Sequence, residues 1–384
     1  MSNSVGIFGK IITSPDESYN ENKRFWQGCP TIARTHGGIL FAGWYTGGTG
    51  EPSPLNCNVL VKSTDNGETW SDVQLVIASN PELHVRAIDI QLWISPDKRM
   101  WAFWTIRDDN YLQNDINHLK LWAMICENPD ADELTWSEPK LLTHGFLRCQ
   151  PTVLSDGRIL LFSYDWSNDR YSYSESSDGG KTWCRRIGGK KVNTPFDEAM
   201  AVEKLDGSIW MLARCEEKAL AQSFSYDGGK SWTDGEVTNL VSPSSRFYLK
   251  RLPSGKLLLI RNAKIERRRE WMTASLSDDD GATWKWSLLL DPDTNVSYPD
   301  AVFDDNGTIY IVHDHGRNDY KEILFSRITE SDIIAGKLAT PDSCLKHIIS
   351  KAPTMPVDKE EFLRLKAADE LWKEQYKARN SGKF

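Results

Sequence analysis

The chain has 384 residues, with 46 Lys or Arg against 54 Asp or Glu, and a formal net charge of −8. This acidic balance argues against a nucleic-acid reader, because such proteins need a basic face that displaces counterions from phosphates. No apolar run approaches the roughly 20 residues of a membrane span, and the N-terminal segment lacks the pattern of a secretion signal. The cysteines show no CxxC spacing, so neither a disulfide framework nor a zinc site is predicted. We expect a cytoplasmic protein without a cofactor.

An eight-residue pattern, Ser-x-Asp-x-Gly-x-Thr/Ser-Trp, is repeated along the chain. The copies are STDNGETW (63–70), SSDGGKTW (176–183), SYDGGKSW (225–232) and SDDDGATW (277–284). In each copy the Asp can accept hydrogen bonds from loop N–H groups, and the Gly tolerates a positive φ. The Trp can then anchor the loop between strands. One copy would be weak support for a repeated module, whereas several copies are strong support.

Short turns between apolar, strand-like runs form a second repeat that is interleaved with the first. They are HGGI (36–39), DKRM (97–100), DGRI (156–159), DGSI (206–209), SGKL (254–257) and NGTI (305–308). Successive turns lie 61, 59, 50, 48 and 52 residues apart. A repeat of about fifty residues with four short strands is typical of propeller blades. The sequence therefore predicts an all-β, six-bladed β-propeller over residues 1–350.

Helical spacing of apolar residues is confined to the end of the chain. Asp358 followed by Glu361 fits a capping pair. The residues that then recur at helical spacing are Phe362, Leu365, Trp372 and Tyr376. We predict a C-terminal helix over 356–380 that packs on the outside or bottom of the propeller. A dimerisation helix, and with it a homo-oligomer, is the alternative.

Ionisable residues cluster around the strands that should be innermost in the propeller. They are Arg86, Asp89, Arg148, Asp197, Glu198, Arg246, Tyr298 and Asp300 before the turns, with Arg214, Arg261, His313 and Arg317 after them. Equivalent strand positions converge in a propeller, and charges gathered in one cavity are costly unless they pair or bind a ligand. This set is interpreted as a site for an anionic ligand; salt bridges between blades are the alternative for single residues.

Other residues receive simpler interpretations. Trp44, Tyr45 and Trp166, which follow inner strands, are predicted platforms for sugar rings. The ERRRE run at 266–270 is interpreted as a solvated hairpin tip. No spacing of His or carboxylate residues fits a metal site, so none is predicted.

Taken together, these features resemble the sialidase (neuraminidase) superfamily, whose members carry the repeated turn, called the Asp-box or BNR repeat, on a six-bladed propeller. The segment DEAMAVEKLDGSIWMLAR (197–214) is similar to a sialidase segment in which a Glu precedes a carboxylate-binding Arg. This resemblance implies roles for Glu198 and Arg214. The stretch beginning SYPDAVF at 297 is similar to the segment that holds the nucleophilic Tyr, here Tyr298. Arg246 matches a further arginine of the sialidase triad.

The chain departs from the family pattern at two places. Sialidases open with Arg-Ile-Pro, which supplies the first triad arginine, whereas this chain has Gly28, Cys29 and Pro30 there. The loop that normally carries the Asp acid reads WYTGGTGEPSPLN (44–56), and Glu51 is its only carboxylate. The resemblance therefore implies the fold, but not sialic acid as the substrate.

The first functional hypothesis is an exo-acting glycoside hydrolase of sialidase type that acts on a small acidic glycoside or oligosaccharide. Sialidases use a Tyr nucleophile. Glu198 would take the proton of Tyr298, and Glu51, or alternatively Asp89, would protonate the leaving oxygen. Arginine forks would hold the carboxylate of the substrate. The predicted substrate-binding residues are Arg86, Arg148, Arg214, Arg246, Arg317, His84, His313, Trp44, Tyr45 and Trp166.

Two further hypotheses use the same residues differently. In a lyase, arginines would acidify the C5 proton of a uronic acid, and Tyr298, His84 or His313 would remove it, as in rhamnose-glucuronate lyases. The third hypothesis is a non-catalytic propeller whose Trp and Tyr side chains stack on sugars. Binding alone would not require a carboxylate, a Tyr and several Arg at equivalent strand ends.

Overall fold

The computed structural model describes residues 4–266, 268–354 and 359–380. Over these ranges the chain forms one six-stranded sheet, five four-stranded sheets and one two-stranded sheet. The six larger sheets follow one another along the chain and correspond to the six predicted repeats. Together with the C-terminal helix, they confirm the prediction of a six-bladed β-propeller.

Blades 1 and 2 occupy the N-terminal part of the chain. Blade 1 contains β1 (Ser4–Gly6), β2 (Gly9–Ile12), β3 (Gln27–Arg34), β4 (Leu40–Thr46), β5 (Cys57–Ser63) and β6 (Leu75–Ala78). Blade 2 contains β7 (Val85–Ile94), β8 (Met100–Asp108), β9 (Leu119–Cys126) and β10 (Lys140–His144). The strand orders are β1-β2-β6-β5-β4-β3 and β10-β9-β8-β7.

Blades 3 to 6 repeat the four-stranded plan. Blade 3 contains β12 (Thr152–Val153), β13 (Ile159–Leu161), β15 (Arg170–Ser176) and β16 (Cys184–Lys190), beside the pair β11 (Phe146–Leu147) and β14 (Ser163–Tyr164). Blade 4 contains β17 (Ala199–Glu203), β18 (Ile209–Arg214), β19 (Ala219–Ser225) and β20 (Glu236–Val241). Blade 5 contains β21 (Tyr248–Arg251), β22 (Leu257–Lys264), β23 (Glu270–Ser277) and β24 (Trp286–Thr294). Blade 6 contains β25 (Val296–Phe303), β26 (Thr308–His315), β27 (Glu322–Thr329) and β28 (Cys344–Lys351).

The chain divides into two compact units. Unit 1 comprises Met1–Leu141, Asp314–Leu324 and Ile348–Phe384, and unit 2 comprises Leu142–His313 and Phe325–His347. Unit 1 therefore contains blade 1, blade 2 except residues 142–144, the C-terminal helix and the parts of blade 6 that lie in residues 314–324 and 348–351. Unit 2 contains blades 3 to 5 and most of blade 6.

The innermost strands of unit 2 lie side by side. Within each sheet β12, β17, β21 and β25 occupy the same edge, and β12 contacts β17, β17 contacts β21, and β21 contacts β25. Apolar runs such as Leu257–Ile260 of β22 are buried at every residue, as expected for a strand covered on both faces. This packing brings the beginnings of distant strands together, as the repeat pattern predicts for this unit.

The repeated turn has the hydrogen bonds that its sequence suggests. In the copy at Asp178, the carboxylate accepts the Thr182 hydroxyl at 2.6 Å, the Thr182 N–H at 2.9 Å and the Ser176 hydroxyl at 2.8 Å. These bonds, that of the Thr182 hydroxyl most strongly, lower the pKa of Asp178 to about 2. The same pattern occurs at Asp65, Asp227 and Asp279. The turn is closed locally, so sequence alone is enough to specify it.

Two α-helices occur in the described residues. The short α1 (Glu330–Ala335), which the sequence pattern does not predict, begins with a capping box formed by Thr329 and Asp332. The long α2 (Lys359–Asn380) is the predicted C-terminal helix; the proposed capping residue Asp358 and the side chain of Glu361 lie outside the part of the chain described.

Within unit 1, the helix α2 packs against the loop that follows β4. Asp369, with 1% of its surface exposed, accepts hydrogen bonds from the Thr49 N–H at 3.0 Å and from the Ser53 hydroxyl. Tyr376 accepts a hydrogen bond of 2.7 Å from Arg107 near the end of β8. The helix therefore lies at the strand ends where the Glu51 loop emerges.

Within the described ranges, no helix has both the length and the apolar character needed to cross a bilayer. No three His, Cys, Asp or Glu side chains in these ranges are grouped so that they could hold a metal ion.

Candidate active site

Glu198, which immediately precedes β17 of blade 4, is in contact with Tyr298 in β25 of blade 6. The Tyr298 hydroxyl donates a hydrogen bond of 2.8 Å to Oε1 of Glu198. Both side chains are buried, and Tyr298 has a φ of 55°, a left-handed conformation that is rare for an aromatic residue. Such strained positions cluster at functional sites. The pair has the geometry of a phenol whose proton can pass to a carboxylate.

Arg214 lies opposite Glu198 across the β17–β18 hairpin. Its backbone N–H donates to the Glu198 carbonyl at 2.9 Å, so the antiparallel register explains the sequence separation of 16 residues. Nη1 of Arg214 donates to Oε1 of Glu198 at 3.0 Å and to the Tyr298 hydroxyl at 3.1 Å. Nε donates to the Ser244 hydroxyl at 2.8 Å. One guanidinium group therefore orients both members of the pair.

Three more guanidinium groups surround the Tyr298 ring. The central carbons of Arg148, Arg246 and Arg269 lie 5.2, 5.1 and 5.2 Å from the ring centroid. Nε of Arg148 is 3.5 Å from Oε1 of Glu198. Arginines outnumber carboxylates in this cluster, which favours an anionic ligand.

Arg246 has a different set of contacts from the other arginines. Its Nη1 donates to the Arg148 carbonyl at 2.8 Å, and its Nη2 donates to the Tyr298 carbonyl at 3.0 Å. The guanidinium group thus ties together the main chains that carry Arg148 and Tyr298. The geometry favours a role for Arg246 in positioning Arg148 and Tyr298, in addition to the substrate contact that the resemblance implies.

The pattern-based interpretation missed Arg269. The run that contains it was expected to be a solvated tip, yet its carbonyl accepts the Val296 N–H at 3.3 Å at the start of β25. Its Nη2 donates to the Ser244 carbonyl at 2.9 Å. These contacts join segments far apart in sequence. The run ends at Glu270, the first residue of β23, so Arg269 directly precedes that strand.

Burial and the arginines set the protonation of the central pair. Burial raises the pKa of Tyr298 to about 12, although Arg148 and Arg214 act against the increase. Burial also acts to raise the pKa of Glu198, but Arg214 and Arg148 outweigh it, so that the pKa of this carboxyl is lowered. At neutral pH Glu198 is therefore ionised and Tyr298 is a protonated donor.

Trp166 lies near this cluster and is partly exposed. Its Nε1 donates to the Pro195 carbonyl at 2.6 Å, and its ring meets Phe196 edge-on with the centroids 6.3 Å apart. Phe196 in turn lies 4.8 Å from the guanidinium carbon of Arg214. This placement fits the predicted role of Trp166 as a sugar platform.

His313 occupies a buried position in unit 2. Its Nε2 is 3.1 Å from Oδ2 of Asp291, and both side chains have 0% exposed surface. Burial acts to raise the pKa of Asp291, but the His313 hydrogen bond and charge hold it at about 2. The geometry favours a structural role for His313, because a fully enclosed ring cannot contact a substrate.

Trp44 and Tyr45 differ from their expected role as sugar platforms. They lie in β4 with 1% and 0% of their surface exposed. Trp44 Nε1 donates to Gln27 at 3.1 Å, and the Tyr45 hydroxyl donates to Asn56 at 3.0 Å. Both faces of β4 are covered, so both aromatic rings are part of the blade interior.

The remaining predicted residues of blade 2 have separate surroundings. Arg86 forms two hydrogen bonds with Asp109, at 2.8 and 2.9 Å, and its guanidinium carbon is 5.1 Å from the Trp372 ring centroid. Asp89 is buried within β7, with 3% exposed surface and a φ of 41°. His84 is exposed and ends a short 3₁₀ segment.

Glu51 and Arg317 lie near each other in unit 1. Nη1 of Arg317 is 3.9 Å from Oε2 of Glu51, and the two side chains are 16% and 30% exposed. Glu51 is therefore accessible to solvent at the loop position where an acid was expected.

Comparison with known sequences identifies related proteins. The sequence model of the family described as "BNR repeat-like domain" matches residues 9–198 and 135–311. A sialidase of Micromonospora viridifaciens is 30% identical, the match covering 75% of this chain and 49% of that protein. A sialidase of Bacteroides fragilis (strain YCH46) is 25% identical, covering 72% of this chain and 56% of that protein. The chain spans about half the length of these curated relatives.

Solved structures share the fold at low sequence identity. A Hadza microbial sialidase superposes with a TM-score of 0.65 at 19% identity, covering 80% of this chain and 66% of that chain. The intramolecular trans-sialidase from Ruminococcus gnavus, in complex with oseltamivir carboxylate, superposes with a TM-score of 0.65 at 14% identity, covering 84% and 98%. At these identities the likeness establishes the fold alone.

Proposed function

Because the chain belongs to the family of BNR repeat-like domains and is a sialidase-superfamily propeller, we propose that it is an exo-acting glycoside hydrolase that releases an acidic sugar. The substrate is a small acidic glycoside or oligosaccharide. The observation that supports this most directly is the buried hydrogen bond between Tyr298 and Glu198, together with the hydrogen bonds that Arg214 donates to both side chains.

In the proposed reaction, the oxygen of Tyr298 attacks the anomeric carbon while its proton passes to Glu198. The bond to the leaving oxygen breaks, and that oxygen takes a proton from an acid, which we assign to Glu51. Water then attacks the anomeric carbon of the glycosyl–tyrosine and gives a proton to the carboxylate left by the acid, while Glu198 returns its proton to the departing Tyr298 oxygen and the sugar is released. A pKa of about 12 means that Tyr298 needs this base at neutral pH.

The substrate carboxylate would contact Arg148, Arg214 and Arg269. Their guanidinium groups surround the nucleophile, whereas Arg246 donates to two main-chain carbonyls. Arginine is suited to this role because its planar fork matches the geometry of a carboxylate.

A mass-spectrometric screen of acidic glycosides tests the proposed reaction. Hydrolysis adds one water to the sum of the products, which is the expected result. A product pair of unchanged total mass with a new carbon–carbon double bond would instead establish the lyase, and binding without any product would establish the non-catalytic propeller. Of the bases considered for the lyase, His313 is fully buried and pairs with Asp291, which argues against its role as the base that removes the C5 proton.

Replacing Arg269 by Gln should raise KM for the acidic substrate about 10- to 100-fold, because a charge-assisted hydrogen bond is lost. The value of kcat should change less, since Tyr298 and Glu198 keep their contacts with Arg214. Steady-state kinetics measures both constants. Arg268→Gln is the matched control, because Arg268 is exposed in the same hairpin. Equal effects of the two substitutions would contradict the assignment of Arg269.

A further inference from the structure

Unit 2 contains a cavity of about 570 Å³, which we call the Lys250 cavity, where the inner strands of blades 3, 4 and 5 run into their hairpin turns. It is lined by residues 151–155, 200–205, Gly207 and 249–251. Glu203, which lines it, ends β17, whereas Glu198 precedes that strand. At about 3.3 Å per residue, the two glutamates are roughly 16 Å apart along the strand. The cavity is therefore separate from the Glu198–Tyr298 pair.

Apolar side chains form much of the wall of this cavity. Val153 in β12 is 40% exposed, and Leu205 in the turn after β17 is 80% exposed. Met200, Val202 and Leu249 are buried members of the same wall. Exposed apolar side chains that gather at a concave surface indicate a binding site, whereas single ones scattered over a surface do not.

Most charged side chains of the wall have partners within the protein. The Glu203 carboxylate accepts the Ser155 N–H at 2.6 Å and the Ser155 hydroxyl at 2.8 Å. Arg251 donates to the Glu203 carbonyl at 3.1 Å and forms an ion pair with an aspartate of blade 5. Nζ of Lys204 lies 6.0 Å from the centroid of the Trp210 ring, within reach of a cation–π interaction.

Lys250, which is half-buried, has fewer contacts than these groups. Its Nζ donates a hydrogen bond of 3.2 Å to Oε1 of Gln150, whose amide group donates in turn to Asp300 at 3.1 Å. An ammonium group has three N–H donors, and among the described residues Gln150 is the only acceptor for those of Lys250. No carboxylate in the described ranges forms an ion pair with it.

The protonation of Lys250 reflects this incomplete pairing. Burial lowers the pKa of Lys250, and the charge of Asp300 opposes this change only in part. A cation removed from water without a close counter-charge is costly, so an anion that enters the cavity would stabilise it.

We propose that the Lys250 cavity binds a small carboxylic acid with an apolar body, whose carboxylate pairs with Lys250 and whose apolar part covers Val153 and Leu205. The volume lies in the range of sites that enclose small organic molecules. One ammonium group on an apolar wall matches such an acid, whereas a neutral sugar would need several polar partners for its hydroxyl groups. The inference does not depend on the proposed hydrolase, because the cavity contains none of the residues assigned to catalysis.

Isothermal titration calorimetry with 3-phenylpropanoate tests this site, and 3-phenyl-1-propanol serves as the neutral probe of the same shape. Lys250→Met keeps an unbranched side chain but removes the charge. It should weaken binding of the carboxylate about tenfold or more and change binding of the alcohol less than twofold. Lys256→Met is the matched control, because Lys256 pairs with Glu330 in the same unit at 3.0 Å and does not line the cavity. It should bind both probes as the wild-type protein does.

A substitution at an exposed position provides a second test that leaves Lys250 in place. Val153→Glu adds a negative charge to the wall, so it should weaken binding of the carboxylate more than binding of the alcohol. Ile187→Glu is its control, because Ile187 is 47% exposed on β16 of the same blade and lies outside the cavity. Thermal unfolding checks that each variant is folded.

Three results would overturn the inference. The first is a wild-type protein that does not bind 3-phenylpropanoate, and the second is folded Lys250→Met that binds it with undiminished affinity. The third is loss of binding in Arg269→Gln but not in Lys250→Met, which would place the carboxylate at the arginine cluster. If Lys250→Met does not fold, equal affinities of Val153→Glu and the wild-type protein decide against the site. Absence of glycoside cleavage would refute the proposed hydrolase and leave this inference standing.

Discussion

Glu198→Gln should lower kcat about 100-fold to 10,000-fold, the range associated with loss of a general base. The amide cannot take the proton of Tyr298, although its oxygen can still accept the hydrogen bond. Anionic ligands should bind at least as tightly, because a negative charge is removed from among Arg148, Arg214 and Arg269. Steady-state kinetics and equilibrium binding separate these two effects.

The pH dependence of the wild-type protein provides a further readout for Glu198. Because its pKa is lowered in the folded protein, the base form should persist to pH values below the ordinary range of a Glu carboxyl. The corresponding acid limb of kcat/KM should be absent from the residual activity of Glu198→Gln. Ionised Glu198 also stabilises the folded protein, because its pKa is lower in the folded state than in the unfolded state. This contribution is present above the pKa of the unfolded state and is lost as the pH falls through the pKa of the folded state.

The control for Glu198→Gln is Glu203→Gln, at the far end of β17, the strand that begins immediately after Glu198. Glu203 accepts hydrogen bonds from the Ser155 N–H and hydroxyl. Its substitution should change kcat less than twofold by comparison. Since Glu198 is buried beside arginines, its removal should also lower the thermal midpoint, so near-ultraviolet circular dichroism must confirm a folded variant. Undiminished turnover by folded Glu198→Gln would exclude its role as the base.

Tyr298→Phe should abolish the covalent glycosyl adduct that a fluorinated substrate analogue traps on the wild-type protein. It should also lower kcat about 100-fold or more, because the attacking oxygen is removed while the ring is kept. Intact-mass measurement detects the adduct, and peptide mapping locates it. An adduct on a residue other than Tyr298 would refute the nucleophile assignment.

Two further variants test the assignment of Tyr298 as the nucleophile. Tyr248→Phe is the matched control, because Tyr248 is fully buried in β21 and its hydroxyl has no hydrogen-bond partner among the residues that the structure describes. It should leave activity unchanged. The double variant of Glu198→Gln and Tyr298→Phe should be no slower than the slower single variant, since residues that act as a unit are not additive.

Local patterns made much of the fold predictable. The repeated turn closes through hydrogen bonds within eight residues, and the hairpin spacing counts the blades. The separation of Glu198 and Arg214 is likewise a local property, because both lie on one hairpin with a fixed register. Such features depend on contacts that are close in sequence, so the residue types alone reveal them.

Residues whose environment comes from distant segments were harder to interpret. Trp44 and Tyr45 have the composition of a sugar platform, but the packing on both faces of β4 buries them. Arg269 belongs to a charged run of the kind that is usually solvated, and only its contact with the start of β25 places it beside Tyr298. Neither outcome can be deduced from hydrophobicity or charge at the position itself.

By itself, the sequence determined the number of blades, the repeated turns and the hairpin that joins Glu198 to Arg214. The tertiary structure alone decided which arginines surround Tyr298. The physical reason is the range of the contacts: a turn or hairpin is specified by neighbouring residues, whereas a cluster of charges depends on the packing of strands 50 or more residues apart, as for Arg246 and Tyr298.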